Sequence, residues 1–229
     1  MAAAIQKRAV IAKTIIATLL ALVGILVFAI PPASNSSRPQ DSASFTDRFQ
    51  SSDLNLDAWK PLSGFWSTNG TSAVLESNSE DTFSTNAVNE NAVIAVNGVL
   101  VHQSAIPSER TSVTLVEGHD GCGVVFRFKD TSNFWYLVKS VEFATWTLRS
   151  VENGIDQYRG NSGLSATEDS TRISVIDNSS SIRIVVEGFN LLRSEIVVDT
   201  PGTYREGAAG LIGTSNCTSG VWANYVETL

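Results

Sequence analysis

Residues 120–149, DGCGVVFRFKDTSNFWYLVKSVEFATWTLR, decide how this chain is read. Val124, Phe126 and Phe128 alternate with Val125, Arg127 and Lys129, the period-two signature of a strand with one side turned toward a core. Asp130-Thr131-Ser132-Asn133 is a polar turn. Residues 134–139 and 143–149 continue as strands, because aromatic and β-branched side chains dominate them and no proline interrupts. The stretch is therefore expected to form a three-stranded antiparallel meander that the rest of the domain pairs with or covers.

Before this meander lies a chain of three textures. Residues 1–13 carry Lys7, Arg8 and Lys13 and no acid, and residues 14–30, TIIATLLALVGILVFAI, form an uncharged apolar run. That pattern is an export signal, intermediate between a secretory h-region and the roughly 20 apolar residues of a full membrane span. Snorkelling by Lys13 would extend the apolar run back to residue 9, giving a signal anchor with its N-terminus inside. Val27-Phe28-Ala29 offers a cleavage site for the alternative of a removed signal peptide, although Pro31-Pro32 follows closely. Residues 31–43, PPASNSSRPQDSA, lack a large apolar side chain and cannot offset ordering entropy, so they read as a flexible tether. Residues 44–229 make the folded domain.

Within that domain short strands are expected at 45–49, 72–76, 82–88, 92–96 and 98–103 before the meander, with an irregular segment around Trp59. After it they are expected at 155–158, 182–187, 191–198, 208–213 and 220–227. Asn-Gly, Gly-Phe-Asn and Pro-Gly turns separate them. No helical period of ten or more residues occurs beyond the N-terminus. About a dozen strands at such spacing imply an all-β domain of two packed antiparallel sheets.

The net charge is −7, and setting aside Lys7, Arg8 and Lys13 leaves 13 basic against 23 acidic residues, or −10, on the remainder. Phosphate contacts need clustered Lys and Arg, so this balance disfavours nucleic acid as a partner. Cys122 and Cys217 are the two cysteines of an exported chain and are expected to form one disulfide, with unpaired buried thiols as the alternative. His102 and His119 have no ligand-like spacing, and neither a G-x-S-x-G nor a phosphate-binding glycine loop occurs. Asp and Asn in the turns at Asp120, Asp130, Asn133, Asp177 and Asn178 are explained by turn capping alone.

The order of features resembles the concanavalin A-like lectin/glucanase superfamily, and within it the laminin-G-like and keto-glycoside-hydrolase-type domains. The residues that carry the likeness are Phe45 to Phe49, Trp59, Gly64-Phe65-Trp66, GCGVVFRFKDTSNFWYLV, TLRSVENG, SIRIVVEGFNLLRSEIVVD, EGAAGLIG and the terminal VWANYVET. The resemblance implies a jelly-roll sandwich with a concave face and rim loops where relatives bind glycans. It also implies calcium as the one cofactor to consider, drawn from the turn carboxylates just named; the residues themselves imply none. The E-x-D-x-x-E strand motif of the laminarinase-type glucanases is absent, which removes their nucleophile and acid/base.

The side chains that could bind a sugar are the aromatics Trp135, Tyr136 and Trp146, with Phe143 nearby, beside Arg127 and Arg149. Aromatic faces stack on sugar rings and guanidinium groups hydrogen-bond hydroxyls. Both sides of residues 134–138 are apolar, however, so each of these aromatics is more readily explained as the core of a strand covered on each face. Arg127, on a strand inside a sheet, is likewise explained as half of a structural ion pair. Glycosidase chemistry needs two carboxyl groups facing each other, and Glu142, Glu152 and Asp156 read instead as solvated carboxylates at strand ends. The expected function is an exported, membrane-anchored, non-catalytic module binding a carbohydrate or a cell-surface partner. The alternatives are a keto-glycoside-type hydrolase and a purely structural surface component.

Overall fold

The computed structural model describes residues 44–76, 83–87, 93–103, 109–140, 143–163, 170–178, 180–190, 192–200 and 207–228. The expected export segment at 1–30 and tether at 31–43 lie outside them. Among the described residues no helix is long and apolar enough to cross a membrane.

These residues form strands β1 (Ser44–Asp47), β2 (Trp59–Ser63), β3 (Phe65–Thr68), β4 (Ala73–Glu76), β5 (Phe83–Ala87) and β6 (Val93–His102). Next come β7 (Arg110–Gly118), β8 (Cys122–Asp130), β9 (Asn133–Ser140), β10 (Thr145–Glu152) and β11 (Ile155–Asn161). The chain finishes with β12 (Thr171–Asp177), β13 (Ser181–Glu187), β14 (Arg193–Asp199), β15 (Ala208–Thr214) and β16 (Ser219–Thr228). One sheet runs β14-β13-β12-β7-β16-β4-β3, with β1 also paired to β16. The other runs β15-β8-β9-β10-β11-β5-β6-β2, and β6 pairs back onto β15. That second path closes into a ring, with β11 and β5 as its parallel neighbours.

Between the sheets lies a core in which Trp59, Leu75, Leu100, Trp135, Trp146 and Trp222 are fully enclosed. Burying a Leu-sized apolar side chain contributes about 1.5–3 kcal/mol relative to exposure, so this layer drives the sandwich together. The ring sheet carries a second apolar cluster on its other face, formed by Val99, Val125, Phe128, Phe134, Val151 and Ile212 with their neighbours. The sheet is thus covered on both faces, which is why β8 and β9 read as apolar on both sides. The first sheet instead turns polar groups outward, among them the Ser112–Ser174 hydroxyl pair and the Arg183–Glu195 ion pair.

Two strands of that first sheet, β7 and β12, were not anticipated from the sequence. Their inward residues Val113, Leu115, Ile173 and Val175 are apolar, but Thr111 shares that inward side and Ser112, Thr114, Arg172 and Ser174 fill the intervening positions. Hydroxyl side chains suit a solvated strand face yet also mark turns, and they masked the alternation. The two strands expected at 92–96 and 98–103 are one strand, β6, and the segment around Trp59 is the start of β2.

The alternation expected in β8 also breaks. Arg127 adopts φ 49°, and the β8–β9 register shifts between Phe126 and Asp130. A bulge of this kind puts two consecutive side chains out of phase with the strand before them. Val124 and Phe126 therefore join the inter-sheet core, whereas Phe128 joins Val125 in the second cluster. At the other end of β8, Gly123 allows a close approach: a Cβ there would lie 1.9 Å from the Leu137 carbonyl oxygen. Its own carbonyl accepts the Trp222 indole N–H at 2.9 Å, a hydrogen bond between the two sheets.

Cys122 and Cys217 are joined in a disulfide, with Cα atoms 4.9 Å apart. It pins the start of β8 to the loop between β15 and β16. A buried polar knot ties the sheets at the opposite side, where His102 Nδ1 of β6 lies 2.5 Å from Glu227 Oε2 of β16. The Tyr225 hydroxyl donates to the same carboxylate oxygen at 3.1 Å, and the Phe45 ring stacks on the imidazole at 3.8 Å.

Candidate functional site

The inner face of the ring sheet carries a cavity at the end where β9 finishes and β10 begins. Thr145, Thr147, Arg149 and Val151 of β10 point to the same side as Tyr136 and Val138 of β9, because each faces its register partner across the ladder. Phe134 and Val151 fill the far end of this face within the second apolar cluster. The near end is open as a pocket of about 450 Å³. Its walls are Thr147, Arg149, Tyr158 and Asn161, and its rim includes Phe143, Asp120 and Asn216.

Beneath the pocket lies a polar floor. The Tyr136 hydroxyl donates to Asp156 Oδ2 at 2.6 Å, and Arg149 Nε donates to both carboxylate oxygens of Asp156 at 3.0 and 3.2 Å. Asp156 is only 1% exposed. Burial, and secondarily the negative charge of Asp156, push the Tyr136 phenol well above its usual range, so it remains a proton donor at physiological pH. The guanidinium neutralises the buried carboxylate, and its stem forms pocket wall. At the mouth Asn216 Nδ2 donates to Asp120 Oδ2 at 2.9 Å, and Lys139 Nζ donates to the Gly118 carbonyl at 3.1 Å.

Above this floor two aromatics stand in solvent: Phe143 is 71% and Tyr158 57% exposed. Both border the pocket. Apolar rings beside hydroxyl, amide and guanidinium groups form a surface that suits an amphipathic ring with equatorial polar substituents.

Of the five side chains expected to contact a ligand, Tyr136 and Arg149 line this pocket. Trp135 and Trp146 do not reach it. Both belong to the inter-sheet core at 1% and 0% exposure, because residues 135 and 146 have the opposite parity to Tyr136 and Arg149. Trp135 is moreover flanked by the guanidinium groups of Arg127 at 5.9 Å and Arg159 at 5.1 Å from its ring centre. Arg127 points between the sheets and pairs with Asp177 of β12. Sequence reading passed over Tyr158, whose single aromatic ring in a polar strand gave no alternation to follow. It also misjudged Asp156: a carboxylate next to a turn reads as solvated, but the curl of the ring sheet folds Tyr136 and Arg149 over it.

The other acidic candidates lie elsewhere. Glu152 accepts from Arg159 and Ser150 on the opposite face of β10, and Glu142 lies outside the described residues. Asp130 accepts from Ser132 N–H and the Asn133 side chain within its own turn. Among the described residues no three His, Cys, Asp or Glu side chains gather as a metal cluster.

No family model matches the chain, and no curated protein does. Solved structures do share its fold. One is a carbohydrate-binding module, CBM66 from Bacillus subtilis, at 13% identity over 74% of this chain and 95% of that one, with a TM-score of 0.54. Another is a prokaryotic β-1,3-1,4-glucanase (lichenase) from a mouse hindgut metagenome, at 8% identity over 81% and 98%, with a TM-score of 0.55. A third is a Bacillus licheniformis β-glucanase, at 13% identity over 82% and 99%, with a TM-score of 0.52. At such identities the likeness is one of fold. The two packed sheets, their order and these matches together give the chain the concanavalin A-like jelly-roll sandwich fold.

Proposed function

We propose that the folded domain is a non-catalytic carbohydrate-binding module, displayed outside the cell on an export segment at residues 9–30 and a tether at 31–43. The observation that carries the reading is the pairing of solvent-exposed Phe143 and Tyr158 with the hydrogen-bonding wall of Thr147, Arg149 and Asn161 in one pocket. Such a surface offers stacking to the apolar face of a sugar ring and donors and acceptors to its hydroxyls. The fold likeness to a carbohydrate-binding module supports this choice, and the lichenase likeness keeps glycans as the ligand class. A disulfide persists in an oxidising compartment, which supports an extracytoplasmic location.

Absence of catalysis rests on the carboxylates. A glycosidase needs two of them facing the scissile bond, about 5–9.5 Å apart. Among the described residues lining the pocket Asp120 is the one acid, and Asp156 lies beneath it engaged by Arg149 and Tyr136. Titration of the full-length protein against immobilised polysaccharides, run beside a reducing-sugar assay, tests the reading. Binding without release of reducing ends is expected. Release of reducing ends would overturn the non-catalytic assignment, and capture of a protein with no glycan retained would overturn the ligand class.

A further inference from the structure

Resting on the carbohydrate reading, we infer that the pocket takes neutral sugars in preference to uronic-acid or sulfated ones, and that Asp156 sets this choice from beneath by balancing the charge of Arg149. Among the described residues the charged side chains lining the pocket are Lys139, Arg149 and Asp120. Taken alone they leave a surplus of positive charge, which would draw an anionic glycan. Asp156 removes that surplus. Both of its carboxylate oxygens accept from Arg149 Nε, at 3.0 and 3.2 Å, and Oδ2 also accepts from the Tyr136 hydroxyl at 2.6 Å.

The depth of that carboxylate makes the balance effective. Asp156 is 1% exposed, so solvent ions screen its field at the guanidinium only weakly. A ligand carboxylate set against Arg149 is attracted by the guanidinium, repelled by Asp156 behind it, and stripped of its own hydration. Desolvating an anion without a full countercharge is costly. Lys139 is committed as well: its side chain is buried and Nζ donates to the Gly118 carbonyl at 3.1 Å. The rest of the lining is uncharged. Thr147, Tyr158, Asn161, Ser215 and Asn216 supply hydroxyl and amide groups, which both donate and accept and so match sugar hydroxyls, whereas a carboxylate only accepts. Beyond the pocket, the 13 basic and 23 acidic residues that follow Lys13 add a field that repels polyanions.

Changing the charge of a glycan while keeping its linkage isolates this selection. Binding of the full-length protein is measured on soluble β-1,3-glucan, β-1,4-glucan, β-1,4-mannan and β-1,4-galactan, each as the neutral polymer and with its C6 hydroxymethyl groups oxidised to carboxylates. On the linkage that binds, the neutral form is expected to bind at least about fivefold tighter, with its affinity unchanged by added salt. Asp156→Asn keeps the shape and removes the charge, and is expected to shrink that ratio about threefold or more, a change of selectivity that a loss of stability alone would not produce. Asp120→Asn, at the open rim where the side chain accepts from Asn216, is expected to shift the ratio the same way and serves where Asp156→Asn does not fold. A smaller ratio in the unaltered protein, or a ratio that no folded variant moves, would overturn neutral selection while leaving carbohydrate binding intact. Binding to none of the four linkages in either form would overturn the carbohydrate reading and this inference with it.

Discussion

Arg127 of β8 and Asp177 of β12 bridge the two sheets: Nε lies 2.5 Å from Oδ2 and Nη2 lies 2.5 Å from Oδ1. The pair is enclosed, with the arginine side chain 2% exposed, and the bulge at φ 49° is what aims it across the sandwich. Removing one partner of a buried pair leaves the other charge desolvated, at a cost of about 3–5 kcal/mol. Asp177→Ala should therefore lower unfolding free energy by about 3 kcal/mol or more in urea denaturation. The double replacement Arg127→Met with Asp177→Leu, which fills the same space without charge, should recover most of that loss. A cost below about 1 kcal/mol for the single variant would show that the bridge is not formed.

Tyr136 and Tyr225 are expected to set the alkaline limit of stability. Burial, then the neighbouring Asp156 or Glu227, raises each phenol well above its ordinary value. A folded-state pKa above the unfolded one means that the folded form holds the proton more tightly. The stabilisation is fully present below the unfolded value of about 10 and is lost as pH rises through the folded one. In an ultraviolet titration these two of the chain's four tyrosines should ionise only together with unfolding. Ionisation of all four in a protein still folded by circular dichroism would refute the buried hydrogen bonds.

The exposed aromatics should matter to binding and not to stability. Stacking contributes about 0.5–1.5 kcal/mol beyond the area buried, equivalent to roughly two- to tenfold in affinity. Phe143→Ala and Tyr158→Ala are each expected to weaken glycan binding by about that factor in affinity electrophoresis, with the melting temperature unchanged. Trp135→Ala should do the reverse, unfolding the protein more easily by about 3–5 kcal/mol because it hollows the core. Unchanged affinity in both exposed variants would remove the pocket from consideration.

Cys122 and Cys217 close a loop 95 residues long in sequence. Removing a native disulfide costs about 2–5 kcal/mol. Intact mass of the unreduced protein should show no alkylatable thiol, and Cys122→Ala with Cys217→Ala should lower the denaturation midpoint accordingly. A midpoint that does not move on substitution would mean that the β15–β16 loop is held by other contacts, such as the Asn97 side-chain hydrogen bond to the Ser215 carbonyl.

Strand content, the two-sheet architecture and the cysteine pairing were legible because each depends on local pattern or on simple inventory. Val124 and Phe126 alternate, turns carry Gly, Asn and Asp, and two cysteines have one way to pair. Which aromatic meets a ligand was not legible. The meander is apolar on both sides, so parity alone could not say whether Trp135 or Tyr136 faces the inter-sheet core. The choice was made by where the first sheet packs, and by a bulge at Arg127 that no residue type announces. Ring closure was equally hidden, since it depends on β6 meeting both β5 and β15, strands far apart in sequence. The β5–β11 pairing reaches Asp156, which is buried, and the curl of the sheet sets Tyr158 beside Arg149 in the pocket lining: long-range pairing decided the site, and local sequence decided the strands that build it.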